Sequence, residues 1–153
     1  MITGGLNKIA RFDMDTQEIL NTIRELKKPF DVGRVKPRPQ ANKTLHYIDA
    51  RDVMARLDST VGPLNWQDEY KEVMGRVVCT LRIRFGDEWI SKSDGADDTK
   101  IEGAKGGLSD AFKRSAVKWG VGRYLYYLPN TKELPSWADP DSGKWTNELA
   151  DRI

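Results

Sequence analysis

The sequence holds one cysteine, Cys79, and one histidine, His46. An internal disulfide is excluded, and so is a zinc centre built from several Cys and His ligands. Any Ser-His-Asp or Cys-His machinery would have to run through His46. No apolar run approaches the roughly 20 residues that a membrane helix needs. The opening MITGGLNKIARFD has neither the apolar stretch nor the small-residue cleavage site of a secretory signal. The expectation is a cytoplasmic protein with no membrane partner. At 153 residues, 39% hydrophobic and 31% charged, the chain suits a single soluble domain with its own core.

Acids are missing from two stretches. Residues 32–48 carry Arg34, Lys36, Arg38 and Lys43 and no Asp or Glu, and residues 111–132 carry Lys113, Arg114, Lys118, Arg123 and Lys132 and none either. The acids gather elsewhere, notably at Asp87, Glu88, Asp94, Asp97 and Asp98. The net charge is only +2, so this is segregation without excess, the pattern of a footprint for a polyanion or of a mosaic surface.

Apolar spacing predicts the elements. Asp15 and Glu18 resemble a capping box ahead of a first helix over about 15–28, with Ile19, Ile23 and Leu26 on one face and Pro29 as the stop. VGRVKPRPQANK, broken by prolines, reads as a loop or a ragged edge strand. Residues 44–48 form a short strand, and Asp49 caps a second helix with Val53, Met54 and Leu57 inward. Three strands follow, at 65–73, 76–85 and 88–93. In the middle one Val77, Cys79, Leu81, Ile83 and Phe85 share the core face. A helix over about 104–119 carries Leu108, Phe112, Ser115 and Trp119 on its inward stripe, with Lys113 and Arg114 opposite. Trp137 and Trp145 sit in a proline-rich, acidic end that packs on the body or on a neighbour. The order defines an α+β fold with an antiparallel sheet, with 1–129 as the core domain and 130–153 as its tail.

Catalytic motifs are thin. GAKGGLSD, 103–110, lacks the Gly-Lys-Ser/Thr ending of a Walker A loop. Asp94, Asp97, Asp98 and Glu102 fail the spacing of a calcium loop, though carboxylates on a loop suit hard cations. Glu69-Tyr70-Lys71 matches the Glu-x-Lys piece of a Mg²⁺-dependent nuclease, in which a carboxylate holds the metal and the lysine assists the attacking water. Such a site needs an upstream acid, for which Asp49, Asp52 and Asp58 are the candidates. His46 and Cys79 read as structural. No cofactor and no resident metal are expected. Tyr47, Tyr124, Tyr126 and Tyr127 are available for stacking on bases.

GGLSDAFKRSAVKWGVGRYLYYLP, 106–129, closely resembles the signature of the Rad52 superfamily of single-strand annealing proteins, nearest its phage Sak-like and bacterial DdrA-like branches. KTLHYIDARDVMARLDSTVGPLNWQ, 43–67, resembles that family's Tyr-Ile-Glu strand, the following helix and its Gly-x-x-x-Trp entry into the sheet. The resemblance spans about 15–129. It implies a β-β-β-α core, a three-stranded sheet packed on a long helix, that assembles side by side into a ring or arc. Single-stranded DNA would lie in an outer basic groove with its bases turned outward, annealed without ATP or a catalytic residue. Lys113 and Arg114 match the family's Lys-Arg pair. Lys36 or Arg38 falls where its arginine sits, Lys105 has a counterpart, and Arg34 and Lys43 flank the segment. Val117 stands where the eukaryotic branch has a further arginine, a charge that Lys118 or Arg123 would replace. The implied setting is the cytoplasm of a bacterial host, close to the nucleoid, with a phage exonuclease or a host single-strand binding protein as possible company. Recombinase loading through a long C-terminal region is not expected.

Overall fold

The alternation over 76–85 sets the centre of the molecule. The computed structural model describes residues 16–97 and 103–153, with side chains at 103–105 outside that description. Strand β3 (Trp66–Val73), β4 (Arg76–Phe85) and β5 (Glu88–Gly95) form an antiparallel sheet in the order β3-β4-β5. Its register pairs Tyr70 with Cys79 and Ile83 with Ile90. Cys79, Leu81 and Ile83 are fully buried, while Val77 and Phe85 are half-buried at the strand ends. Met74 and Gly75 both take positive φ, 54° and 80°, in the two-residue turn between Val73 and Arg76. That is the turn whose twist suits a tight hairpin.

Helix α3 (Gly103–Lys118) crosses the inner face. A Cβ on Gly107 would lie 3.0 Å from Val77 Cγ2, so the missing side chain lets the helix approach β4. Ser115, fully buried, donates to Cys79 O at 2.7 Å and accepts from Asp94 N at 3.1 Å. Trp119 Nε1 donates to Leu81 O at 3.0 Å. Two polar atoms in the core thus have partners, which burial demands. Leu108 departs from the expected stripe and is 39% exposed. Gly107 already meets the second residue of β4, so Leu108 stands where the sheet runs out.

The helix ends in a Schellman turn: Val121 N donates to Ala116 O (3.0 Å) and Gly120 N to Val117 O (2.9 Å). Gly120 has φ 98°, and a Cβ there would meet Lys27 Cγ at 2.6 Å. Gly120→Ala combines a left-handed alanine, at about 1–2 kcal/mol, with that collision. Urea unfolding should show a loss of about 2 kcal/mol, and a loss under about 0.5 kcal/mol would contradict this account of the turn.

Of its two expected forms, the proline-broken segment takes the edge strand. Strand β1 (Lys36–Gln40) pairs antiparallel with β2 (Lys43–Tyr47) in a separate two-stranded hairpin. Pro37 faces His46 and Pro39 faces Thr44 across it, which a two-stranded edge tolerates and a central strand would not. Helix α1, over 16–27, has Leu26 buried; Asp15, its expected cap, lies outside the described residues. Helix α2 (Ala50–Thr60) starts with Asp52 reaching back to Asp49 N at 3.2 Å. It buries Val53 and Leu57 one turn apart, leaving Met54 on the margin at 37% exposure rather than inward.

Beyond α3, a 3₁₀ turn (Arg123–Tyr127) leads to α4 (Asn147–Arg152). Trp137 stacks on Trp145 at 6.1 Å, and both present edges to the buried Tyr124. The Tyr124 hydroxyl accepts from Phe30 N at 3.0 Å, and burial pushes its pKa up to about 12. Arg24 forks onto Asp151 at 3.0 and 2.9 Å, and Lys27 donates to Ala150 O, so α4 is tied to α1. No helix among the described residues is long and apolar enough to cross a membrane.

Candidate nucleic-acid interface

The hairpin and α3 come together around one recess. Along β2 the side chains alternate, with Lys43, Leu45 and Tyr47 exposed and Thr44 and His46 half-buried. On α3, Lys113 lies opposite the sheet side and reaches the hairpin: its Nζ donates to Ile48 O at 3.3 Å and stands 5.8 Å from the Tyr47 ring. Between them opens a cavity of about 340 Å³, with Arg38, Tyr47, Lys113, Arg114, Tyr126 and Asn130 among its lining residues. Its deepest members, Ile48, Val53 and Val121, are buried core residues. Cations from β1 and from α3, far apart in sequence, therefore share one mouth.

Arg114 is loosely held. Its guanidinium lies 3.9 Å from Asp94 and 3.7 Å from Asp97, beyond hydrogen-bond length. Lys36, two residues before Arg38, bonds to the Asp49 carboxylate at 2.6 Å. That hydrogen bond holds the Asp49 pKa below, and the Lys36 pKa above, their usual values. Arg34 approaches Asp52 at 3.7 Å, and Lys43 is exposed at the hairpin tip, opposite Gln40. Lys105 belongs to the first turn of α3, with its side chain outside the described residues.

Lys118 and Arg123 are not among the residues lining the recess. Lys118 Nζ bonds to Ser93 O on β5. Arg123 donates to Val117 O (3.0 Å), Lys118 O (2.7 Å) and Ile153 O (3.4 Å), so it serves the carbonyl end of α3. Neither side chain joins Val117 in the lining of the recess. Val117 lines the cavity with Leu125 and Leu128.

The other candidates are dispersed. Glu69 and Lys71 are exposed on β3, with Glu69 bonded to Arg82 at 2.7 Å. Asp58 accepts from Trp66 Nε1 at 2.8 Å, and Asp49 holds Lys36. Among the described residues no three His, Cys, Asp or Glu side chains group as metal donors. Asp98 and Glu102 of the acidic cluster lie outside the described residues; Asp94 and Asp97 flank Arg114. Cys79 is buried, which raises its thiol pKa, and His46 Nε2 stands 3.5 Å from Lys132 O. Sequence reading missed Asp110 and Asn130 as members of the recess, since no pattern marks a polar residue bordering a gap between two elements.

The chain belongs to the Rad52 superfamily and is DdrA-like within it. Residues 73–142 match the family described as "Rad52/22 family double-strand break repair protein". The chain is similar to the "Single-stranded DNA-binding protein DdrA" of Deinococcus radiodurans, 35% identical over an alignment of 141 positions that covers 77% of this chain and 67% of the relative. The protein of the same description from Deinococcus deserti is 38% identical over 113 positions, 63% of this chain and 56% of the relative.

Proposed function

We propose that this chain binds single-stranded DNA in DNA repair and promotes the annealing of complementary strands, without ATP, cofactor or catalytic residue. It works as a homo-oligomeric ring or arc, with 1–129 as the annealing core and 130–153 as its tail. The observation that carries this reading is the convergence of Arg38 with Lys113 and Arg114 at one mouth. Phosphate neutralisation by such cations supplies affinity without sequence preference. Lys36, Arg34 and Lys43 extend the track along the hairpin, and an assembly multiplies each protomer's modest contact.

If the three cations at the mouth each neutralise a phosphate, the log–log salt slope of single-strand binding is about −2 per protomer. Anisotropy titrations of oligo-dT across a salt series measure it, and a slope near zero would remove the electrostatic basis. Incubation with two labelled complementary strands and Mg²⁺ tests the activity. Accelerated duplex formation at full strand length is the expected result. Shortened strands would point to the Glu69-Lys71 nuclease instead, and binding without faster pairing to a strand-protecting role.

A further inference from the structure

We propose that the recess between the hairpin and α3 receives one unstacked nucleobase of the bound strand, with that nucleotide's phosphate on the cations at the mouth. This inference rests on the single-strand reading above and adds to it a contact with a base.

A strand held by charge alone requires no apolar recess. Here the volume is about 340 Å³, within the roughly 300–1,000 Å³ typical of sites for small organic ligands. Ile48, Val53 and Val121, at 5%, 1% and 1% exposed, close its base and offer almost no accessible surface, so the apolar surface comes from half-buried neighbours. Val117, Leu125 and Leu128 continue the aliphatic wall. Apolar surface facing an open cavity gains free energy when an apolar face covers it. Arg38, Lys113 and Arg114 share the lining with these aliphatic residues, so the occupant must be apolar on its faces and anionic at one end. A nucleotide meets both requirements. Tyr47 and Tyr126, 38% and 70% exposed, offer aromatic faces at the rim, where base stacking is favourable and tolerant of sequence. Asp110 and Asn130, also in the lining, supply polar groups for the polar edge of a ring. One base entering the recess leaves its neighbours outside and available for pairing.

The test compares oligo-dT with an abasic deoxyribose-phosphate strand of equal length and charge, by anisotropy at fixed salt. The unmodified protein should bind oligo-dT at least about five-fold tighter, the lower end of what stacking on an aromatic side chain contributes. Val117→Phe fills the recess without touching a charge. It should bind both strands alike, with the abasic affinity and the salt slope unchanged. Tyr126→Ala alters an exposed side chain that the core does not use, and it should shrink the preference in parallel even if Val117→Phe does not fold. Equal affinity of the unmodified protein for both strands would overturn the base contact and leave the single-strand reading standing. An undiminished preference in folded Val117→Phe or in Tyr126→Ala would overturn it too, by placing the base elsewhere. Failure of both strands to bind would remove both readings.

Discussion

The double variant Arg38→Ala/Lys113→Ala should bind single-stranded oligo-dT about 30-fold more weakly than the unmodified protein. This allows about 1 kcal/mol for each phosphate contact, discounted for solvent exposure. The salt slope should become shallower by about 1.4, since two neutralised phosphates are lost. The pair is chosen on structural grounds. Arg38 is exposed on a hairpin edge, and Lys113 makes one side-chain hydrogen bond, at 3.3 Å, to a backbone oxygen. Losing both should leave the thermal midpoint within a few degrees. Arg114 is left in place because its removal would strand Asp94 and Asp97 beside no cation. Circular dichroism confirms folding. A folded variant that binds within two-fold of the original would refute the assignment of the mouth.

Arg56→Ala should cost about 3 kcal/mol of stability, one of the largest single-residue losses expected in this chain. The Arg56 guanidinium donates to Lys28 O (2.7 Å), Leu26 O (3.1 Å), Pro29 O (3.2 Å) and Glu25 O (3.4 Å), and lies 4.1 Å from the centre of the Phe30 ring. It therefore closes the carbonyl end of α1, which the helix cannot satisfy itself. Removing it leaves acceptors without their donor and bares an aromatic face; charge-assisted bonds of this kind contribute about 1.5–3 kcal/mol each at most and share one side chain here. The midpoint of thermal unfolding should drop by roughly 6–12 °C. Arg56→Lys should recover only part, because an ammonium lacks the planar fork that serves several carbonyls at once. A loss below about 1 kcal/mol in urea unfolding would show that water caps α1 equally well.

Arg56 also marks where sequence reading stops. Nothing in its neighbourhood announces contacts with residues near position 28, because they arise only when α2 folds against the end of α1. Arg123 is the same case: a charge in a basic run gives no direction, and the glycine-bent chain after α3 turns this one onto backbone carbonyls. The middle strand, in contrast, was plain from its alternation, since a sheet covered on one face imposes a period of two. The α3 helix was equally plain, except at Leu108, where periodicity cannot know where the sheet ends. The prolines at 37 and 39 left β1 open between a loop and an edge strand, because a missing N–H excludes a central strand but not an edge. Of the site, the cationic residues were visible in sequence as charge. The recess was not, being a gap between two elements rather than a property of either.

Lys36 and Arg114 each stand beside carboxylates of the same chain, at 2.6 Å for Asp49 and at 3.9 and 3.7 Å for Asp94 and Asp97. On the proposed reading, an arriving phosphate swaps one anion for another at those positions instead of filling a vacancy. Each exchange gains little, so an isolated nucleotide is a poor competitor, whereas a polymer making many exchanges together is held. Such a surface discriminates by length, and it lets go one step at a time, as a strand that must finally leave with its complement requires.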